Sequence, residues 1–330
     1  MKVGGINGKS ILVTGGTGSF GRAFVRTLLS KYKPKNVRIY SRDELKQWHM
    51  AREFSDNPRL RFFIGDVRDP ERIKRATEGV DIVIHTAALK HVPACEYNPM
   101  DAVRTNVDGA INVINACLDN NVTKVIALST DKAVNPVNIY GATKLTMERL
   151  FIQSNSYRGS HRKTRFSVVR YGNVLGSSGS VIPLFREQSK SGRVTITDEQ
   201  MTRFWITLPQ AVDFVLSCLE HMQGGEIFVP RIPSMKVVDL ARVVAPKARH
   251  SIIGMRAGER LHEYLITEQE STLTWEFSDR YVILSDSRVW IHDPKPFKKA
   301  KKVKRGFSYN SLDNTEYLSD KEVGRYLKSE

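Results

Sequence analysis

The sequence predicts an α/β protein: a doubly wound parallel sheet carrying a smaller C-terminal lobe. Three observations predict it. Between Ser10 and Tyr171 short apolar runs alternate with helical stretches, the pattern of a parallel sheet covered on both faces. A glycine-rich turn follows the first apolar run. After Tyr171 the alternation breaks down.

The predicted strands are Ser10–Thr14, Val37–Tyr40, Arg61–Ile64, Asp81–His85, Lys124–Leu128 and Phe166–Tyr171. Arg22–Lys31 and Ala102–Asp119 place apolar residues three and four apart, the spacing of an amphipathic helix. Six strands with helices between them imply a sheet that binds ligands beyond the carboxyl ends of its strands. Gly172–Gly179 reads as a loop and Val181 to about Ser189 as a helix, and prolines 230, 233 and 246 punctuate the later part of the chain. Residues 1–172 are therefore expected to form the dinucleotide-binding domain. Residues 173–330 should form mainly a substrate lobe, interleaved with the last sheet strands.

Composition narrows the class. Of 330 residues, 41% are hydrophobic and 26% charged, which fits a globular chain with a sizeable core. No apolar run approaches the ~20 residues that span a bilayer, and no signal-peptide pattern precedes the first strand. Cys95, Cys117 and Cys218 match no zinc or redox spacing and read as core thiols of a reducing compartment, so a cytoplasmic location is expected. The net charge of +16 suits a nucleotide cofactor and a nucleotide substrate as well as it suits nucleic acid. Lys295–Arg305 carries seven cations and no acid, without alternating aromatics. It reads as a solvated loop or tail, or as a contact for assembly or for a polyanion, and no nucleic-acid partner is expected.

Gly15, Gly18 and Gly21 follow a G-x-x-G-x-x-G spacing at the first strand–helix junction. Lacking a Cβ, such a turn lets backbone N–H groups approach a pyrophosphate, which then sits at the positive end of the next helix. At the end of the second strand, Ser41 and Arg42 could hold a 2′-phosphate, which favours NADP; Asp43 could instead serve a 2′-hydroxyl. Asp66 and Val67 after the third strand suit the adenine, and Ala87-Ala88 after the fourth lets backbone lie against the cofactor.

Tyr140 and Lys144 lie four apart on a predicted helix, hence on one face. An ammonium beside a phenol lowers the phenol's pKa, so Tyr140 could take a proton from a sugar hydroxyl while hydride leaves for nicotinamide. Just upstream, Asp131 and Lys132 add an acid and a base beside the same substrate, as elimination of water requires; a solvent-facing ion pair is the alternative.

The segments TGGTGSFG, IYSRDELKQ, FIGDVRD, ALKHVPACEYNP, ALSTDKAVNPVNIYGATK, RYGNVLGSSGSV, MTRFWIT, GGEIFVPRIPSMK and IIGMRAGERLHE resemble the inverting UDP-N-acetylglucosamine 4,6-dehydratases, of the extended short-chain dehydrogenase/reductase superfamily. The likeness runs from about residue 8 to 266 and returns in GFSYNS near Gly306, with little between about 270 and 304. The resemblance implies a lyase of pseudaminic acid biosynthesis, forming UDP-2-acetamido-2,6-dideoxy-β-L-arabino-hex-4-ulose. A retaining dehydratase or a UDP-sugar 4-epimerase on the same scaffold is the alternative. It further implies Lys132 as the C-5 base, Asp131 as the acid at C-6, Tyr140 and Lys144 as the redox pair, and Thr130 as a sugar contact. Cofactor positions matched are Thr17, Gly18, Ser19, Phe20, Ser41, Arg42, Asp43, Glu44, Leu45, Lys46, Asp66, Val67, Ala87, Lys90, Tyr140 and Lys144. Lys90 and Asn173 match sugar positions, and Arg256 and Glu259 match UDP positions. Arg203 is equally readable as a structural salt bridge. Related retaining enzymes often carry membrane spans and several lack the tyrosine, so Tyr140 and the absence of such an extension favour the soluble inverting type. Homo-oligomers, often hexamers, and no metal are the remaining implications.

Overall fold

The computed structural model describes residues 5–157, 159, 162–177, 179–285 and 300–329. Its spine is a ten-stranded sheet. Six parallel strands form the first part: β1 (Ser10–Thr14), β2 (Asn36–Ser41), β3 (Leu60–Ile64), β4 (Ile82–His85), β5 (Lys124–Thr130) and β6 (Arg165–Tyr171). They lie in the order β6-β5-β4-β1-β2-β3, so the chain reverses direction across the sheet between β1 and β4. β1, β4, β5 and β6 are almost entirely buried, which explains their continuous apolar runs.

Helices α1 (Ser19–Lys31), α2 (Glu44–Glu53), α3 (Pro70–Thr77), α4 (Val92–Tyr97), α5 (Pro99–Val103), α6 (Gly109–Asp119) and α7 (Ile139–Gln153) connect them. The predicted helix Ala102–Asp119 is interrupted by a π turn at Arg104–Asp108. There Asn106 exchanges hydrogen bonds with both backbone groups of Leu89 and donates to Thr143 on α7. The wider turn thus delivers a polar side chain that ties the segment after β4 to the helix carrying Tyr140 and Lys144.

Beyond β6 the chain returns to the same sheet. Glu226–Pro230 pairs parallel with β6, and Arg280–Leu284, Thr274–Glu276 and Lys301–Lys302 extend it antiparallel. Two readings change. Asn173–Val174, expected in a loop, is a short strand paired with Trp205–Ile206, because residue 172 packs directly against Phe204. Within the basic stretch, Lys301–Lys302 is an exposed edge strand bonded to Trp275 and Glu276; residues 295–299 lie outside the described residues. Separate apolar clusters around Phe185 and Trp205 give the later residues packing of their own. All three cysteines are buried and unpaired. Among the described residues no helix is long and apolar enough to cross a membrane, and no group of side chains could hold a metal.

Candidate active site

The carboxyl ends of β1, β2, β4 and β5 lie side by side, and the loops beyond them carry the predicted cofactor residues. Gly15 has φ +64°, and a Cβ there would meet the backbone of Ala87 at 2.9 Å. The turn can therefore pass only as glycine between two strand ends. Gly18 caps α1 with no side-chain partner for the helix's first N–H groups, leaving Ser19, Phe20 and Gly21 at a helix end suited to an anion. Thr17 is buried beneath this turn.

At the end of β2, Asp43 caps α2 by accepting from the Lys46 N–H at 2.9 Å and pairs with the Lys46 ammonium at 3.0 Å. Those bonds hold its carboxyl below the usual range and occupy the group that the sequence left open for a 2′-hydroxyl. Arg42, Glu44, Leu45 and Lys46 are exposed beside it. Arg42 lies 3.5 Å from Asp66, whose carboxylate is chiefly engaged by Arg68. Val67 is buried. Gln47, which sequence reasoning missed, donates to Ser41 and to the Phe63 carbonyl and so fastens the ends of β2 and β3 together. No sequence signal marked it, because its burial comes only from the fold. Lys90 is exposed in the segment after β4, within one residue of the Leu89 tied down by Asn106.

The catalytic candidates meet on the other side of β5. Thr130 ends the strand, and its hydroxyl donates to Asp131 Oδ1 at 2.8 Å. The Lys132 ammonium lies 3.0 Å from that same oxygen, 3.4 Å from Asn173 Oδ1 and 3.4 Å from Glu263 Oε1. Asp131 is fully buried, and its Oδ2 has no partner. The pair is not solvent-facing. Although burial opposes the charge on Lys132, Asp131 and Glu263 together push its pKa above the ordinary lysine range.

Helix α7 approaches this loop closely because residue 141 is glycine: a Cβ there would sit 2.1 Å from the Lys132 carbonyl oxygen. Tyr140 and Lys144 are both buried on it. Here the electrostatic expectation is corrected. Burial raises the Tyr140 phenol to about 12, against the lowering influence of Lys132 and Thr130. Lys144 donates to the Leu128 carbonyl at 2.6 Å and to Met147 Sδ at 3.2 Å, and burial depresses it to about 8. Desolvation therefore outweighs the ammonium–phenol effect, and the cation that acts on the phenol is Lys132.

Lys132, Asn138, Asn173, Arg203, Glu259 and Glu263 line one cavity of about 150 Å³, closed also by Val92, Val137, Gly258 and Arg260. Glu259 and Asn173 are thus brought together. Arg256 is exposed and outside this lining, its N–H bonded to Glu259 Oε2. Arg203 lines the cavity, but its guanidinium is largely spent on the carbonyls of Thr202, Arg260 and Leu261. Glu263, absent from the sequence reading, is the most deeply buried carboxylate in the lining.

A family model described as "Polysaccharide biosynthesis protein" matches residues 11–285. The chain is 54% identical over 325 residues to a Campylobacter jejuni protein named UDP-N-acetylglucosamine 4,6-dehydratase (inverting), covering 96% of each. It is 44% identical over 327 residues to a Rickettsia conorii protein named UDP-glucose 4-epimerase, covering 97% of this chain and 95% of the other. The X-ray structure of Pen from Bacillus thuringiensis superposes with a TM-score of 0.90 at 38% identity, covering 98% of each chain. DesIV of Streptomyces venezuelae, a dTDP-glucose 4,6-dehydratase solved with NAD and TYD, shares the fold at a TM-score of 0.68 and 23% identity, over 76% of this chain and 86% of that one. With this fold and these relatives spanning nearly its whole length, the chain belongs to the polysaccharide biosynthesis protein family and, within it, to the inverting UDP-N-acetylglucosamine 4,6-dehydratases.

Proposed function

We propose that the chain dehydrates UDP-N-acetylglucosamine at C-5 and C-6 with inversion at C-5, using NADP, as a cytoplasmic homo-oligomer that opens pseudaminic acid biosynthesis. Residues 1–172 hold the dinucleotide and residues 173–330 mainly the UDP-sugar. The observation that carries the reading is that Lys132 lines the cavity while paired at 3.0 Å with Asp131, which is buried behind it, directly against the turn of α7 that bears Tyr140.

The crevice fits a nicotinamide dinucleotide: a cradle at Gly15 that a Cβ would fill, and a helix end without a side-chain cap. Arg42 and Lys46 favour a 2′-phosphate, and Asp43, committed to its helix cap, does not compete for a hydroxyl. A nicotinamide dinucleotide held by the Gly15–Gly21 turn would supply reversible hydride exchange, which the oxidation at C-4 and the reduction at C-6 both need. Tyr140 takes the O-4 proton as C-4 is oxidised. That oxidation acidifies C-5, whose proton passes to the Lys132 amine, while the C-6–oxygen bond breaks and Asp131 gives a proton to the departing hydroxyl. A proton returned to C-5 on the opposite face completes the inversion. No external oxidant is consumed.

The relatives named UDP-glucose 4-epimerase support a second reading in which C-6 keeps its oxygen. Mass analysis of the product separates the two. Loss of one water from UDP-N-acetylglucosamine is expected; an isomer of unchanged mass would favour epimerisation.

A further inference from the structure

Three segments separated in sequence converge behind Lys132. His262 Nδ1 lies 2.8 Å from Thr202 Oγ1, which lies 2.7 Å from Ser311 Oγ. Ser311 Oγ accepts from the Glu263 N–H at 2.9 Å, and the Ser311 N–H donates to the Glu263 carbonyl at 2.8 Å. Glu263 is thus gripped by its backbone on two sides, and its carboxylate is aimed by that grip. Only 3% of the residue is exposed, yet its two oxygens are unequal. Oε1 lies 3.4 Å from the Lys132 ammonium and 3.7 Å from Arg203 Nε, whereas Oε2 has no partner at all. A carboxylate desolvated this far and only half bonded costs stability unless it serves something.

We propose that Glu263 is a positioning residue that holds the Lys132 amine at the substrate cavity and, through its charge, sets the pH at which that amine becomes a base. The inference rests on the dehydratase function proposed for this site. The geometry for it is three-sided: the ammonium is hydrogen-bonded to Asp131 Oδ1 and Asn173 Oδ1 and ion-paired with Glu263 Oε1 at 3.4 Å. The charged groups facing the ammonium are Asp131, Glu263 and Arg203, with the Tyr140 phenol beside them. Two carboxylates against one guanidinium favour the charged amine. Removing the charge at Glu263 leaves Asp131 and Arg203 opposed, so the amine loses its proton more easily.

The test compares wild type, Glu263→Asp and Glu263→Gln as full-length holoenzymes, with turnover of UDP-N-acetylglucosamine followed from pH 7 upward past the ordinary lysine range, to the alkaline limit at which each stays folded. Cofactor binding and circular dichroism establish that each is folded. The limb on which activity rises with pH should move down by about one pH unit in Glu263→Gln, with Glu263→Asp between it and wild type. The plateau rate should fall about tenfold through looser placement of the amine. A role in packing alone would lower the plateau and leave the limb in place, and a shared limb across the three proteins overturns the proposal. Should the glutamine variant not fold, the position of the Glu263→Asp limb decides. A wild type that takes no water from the sugar sinks the dehydratase reading instead, and this inference with it.

Discussion

Two buried clusters of charge, both touching the region of α7, are built on opposite principles. In the first, Arg170 on β6 is 1% exposed and makes two bonds to Glu148 on α7, two to Glu270 and one to the Leu265 carbonyl. Glu270 also accepts from the Thr267 N–H, and no oxygen of either carboxylate is left without a partner. In the second, Asp131 and Glu263 again bring two carboxylates together, here with two cations, Lys132 and Arg203, but Asp131 Oδ2 and Glu263 Oε2 are buried without partners and the cluster opens into a cavity. The first cluster has used up its hydrogen-bonding capacity and can only hold the fold. The second has capacity to spare beside the cavity, as the proposed proton exchange with a substrate requires.

This contrast can be broken by substitution. Asp131→Asn should lower the rate of water loss by about 10²- to 10⁴-fold, because it removes the group proposed as the acid at C-6. It should shift the unfolding midpoint little, since the penalty of the unpartnered oxygen is already present in the wild type. Arg170→Met should do the reverse. Leaving two buried carboxylates unpaired costs roughly 3–5 kcal/mol in denaturant unfolding, while turnover per folded molecule changes less than tenfold. If both variants lose stability and activity alike, the distinction between the clusters is wrong.

A third buried ionisable group sharpens the comparison at lower energy. His85 ends β4, with Nδ1 2.9 Å from Thr14 Oγ1 and its ring stacked on Phe151. Burial, and secondarily Lys144, depresses its pKa from 6.5 to about 3. The neutral ring is favoured in the folded state. Its contribution to stability is therefore complete above pH 6.5 and declines as pH falls from there toward 3, by about 1.4 kcal/mol per pH unit. Urea unfolding at pH 7.5 and 5.5 should show that decline, and His85→Gln should lessen it. An equal decline in the variant would mean other groups carry it.

Much of this was legible in the sequence wherever the determinants are local. The strand predicted at Val37–Tyr40 is observed at Asn36–Ser41, because apolar alternation and flanking turns lie within a few residues of one another. The glycine turn and the Tyr140–Lys144 spacing were readable for the same reason. Four things were not. The antiparallel extension of the sheet depends on Arg280–Leu284 meeting Glu226–Pro230, a pairing no local pattern encodes. Glu263 reaches Lys132 across more than a hundred residues, and only the fold supplies that contact. The phenol of Tyr140 was expected to be lowered by its helical neighbour, whereas burial, invisible to spacing, raises it. The helix cap that Asp43 makes with the Lys46 N–H was hidden too, because it depends on where α2 starts.

The most direct test tracks the fate of one hydrogen. UDP-N-acetylglucosamine is incubated with the holoenzyme in deuterated water, and the product is examined by NMR for wild type and Lys132→Ala. The account predicts that wild type yields a 4-keto-6-deoxy sugar bearing deuterium at C-5 in inverted configuration. It predicts that Lys132→Ala binds the dinucleotide but forms this product at least about 10²-fold more slowly. Formation of the same deuterated product by Lys132→Ala at the wild-type rate would contradict it.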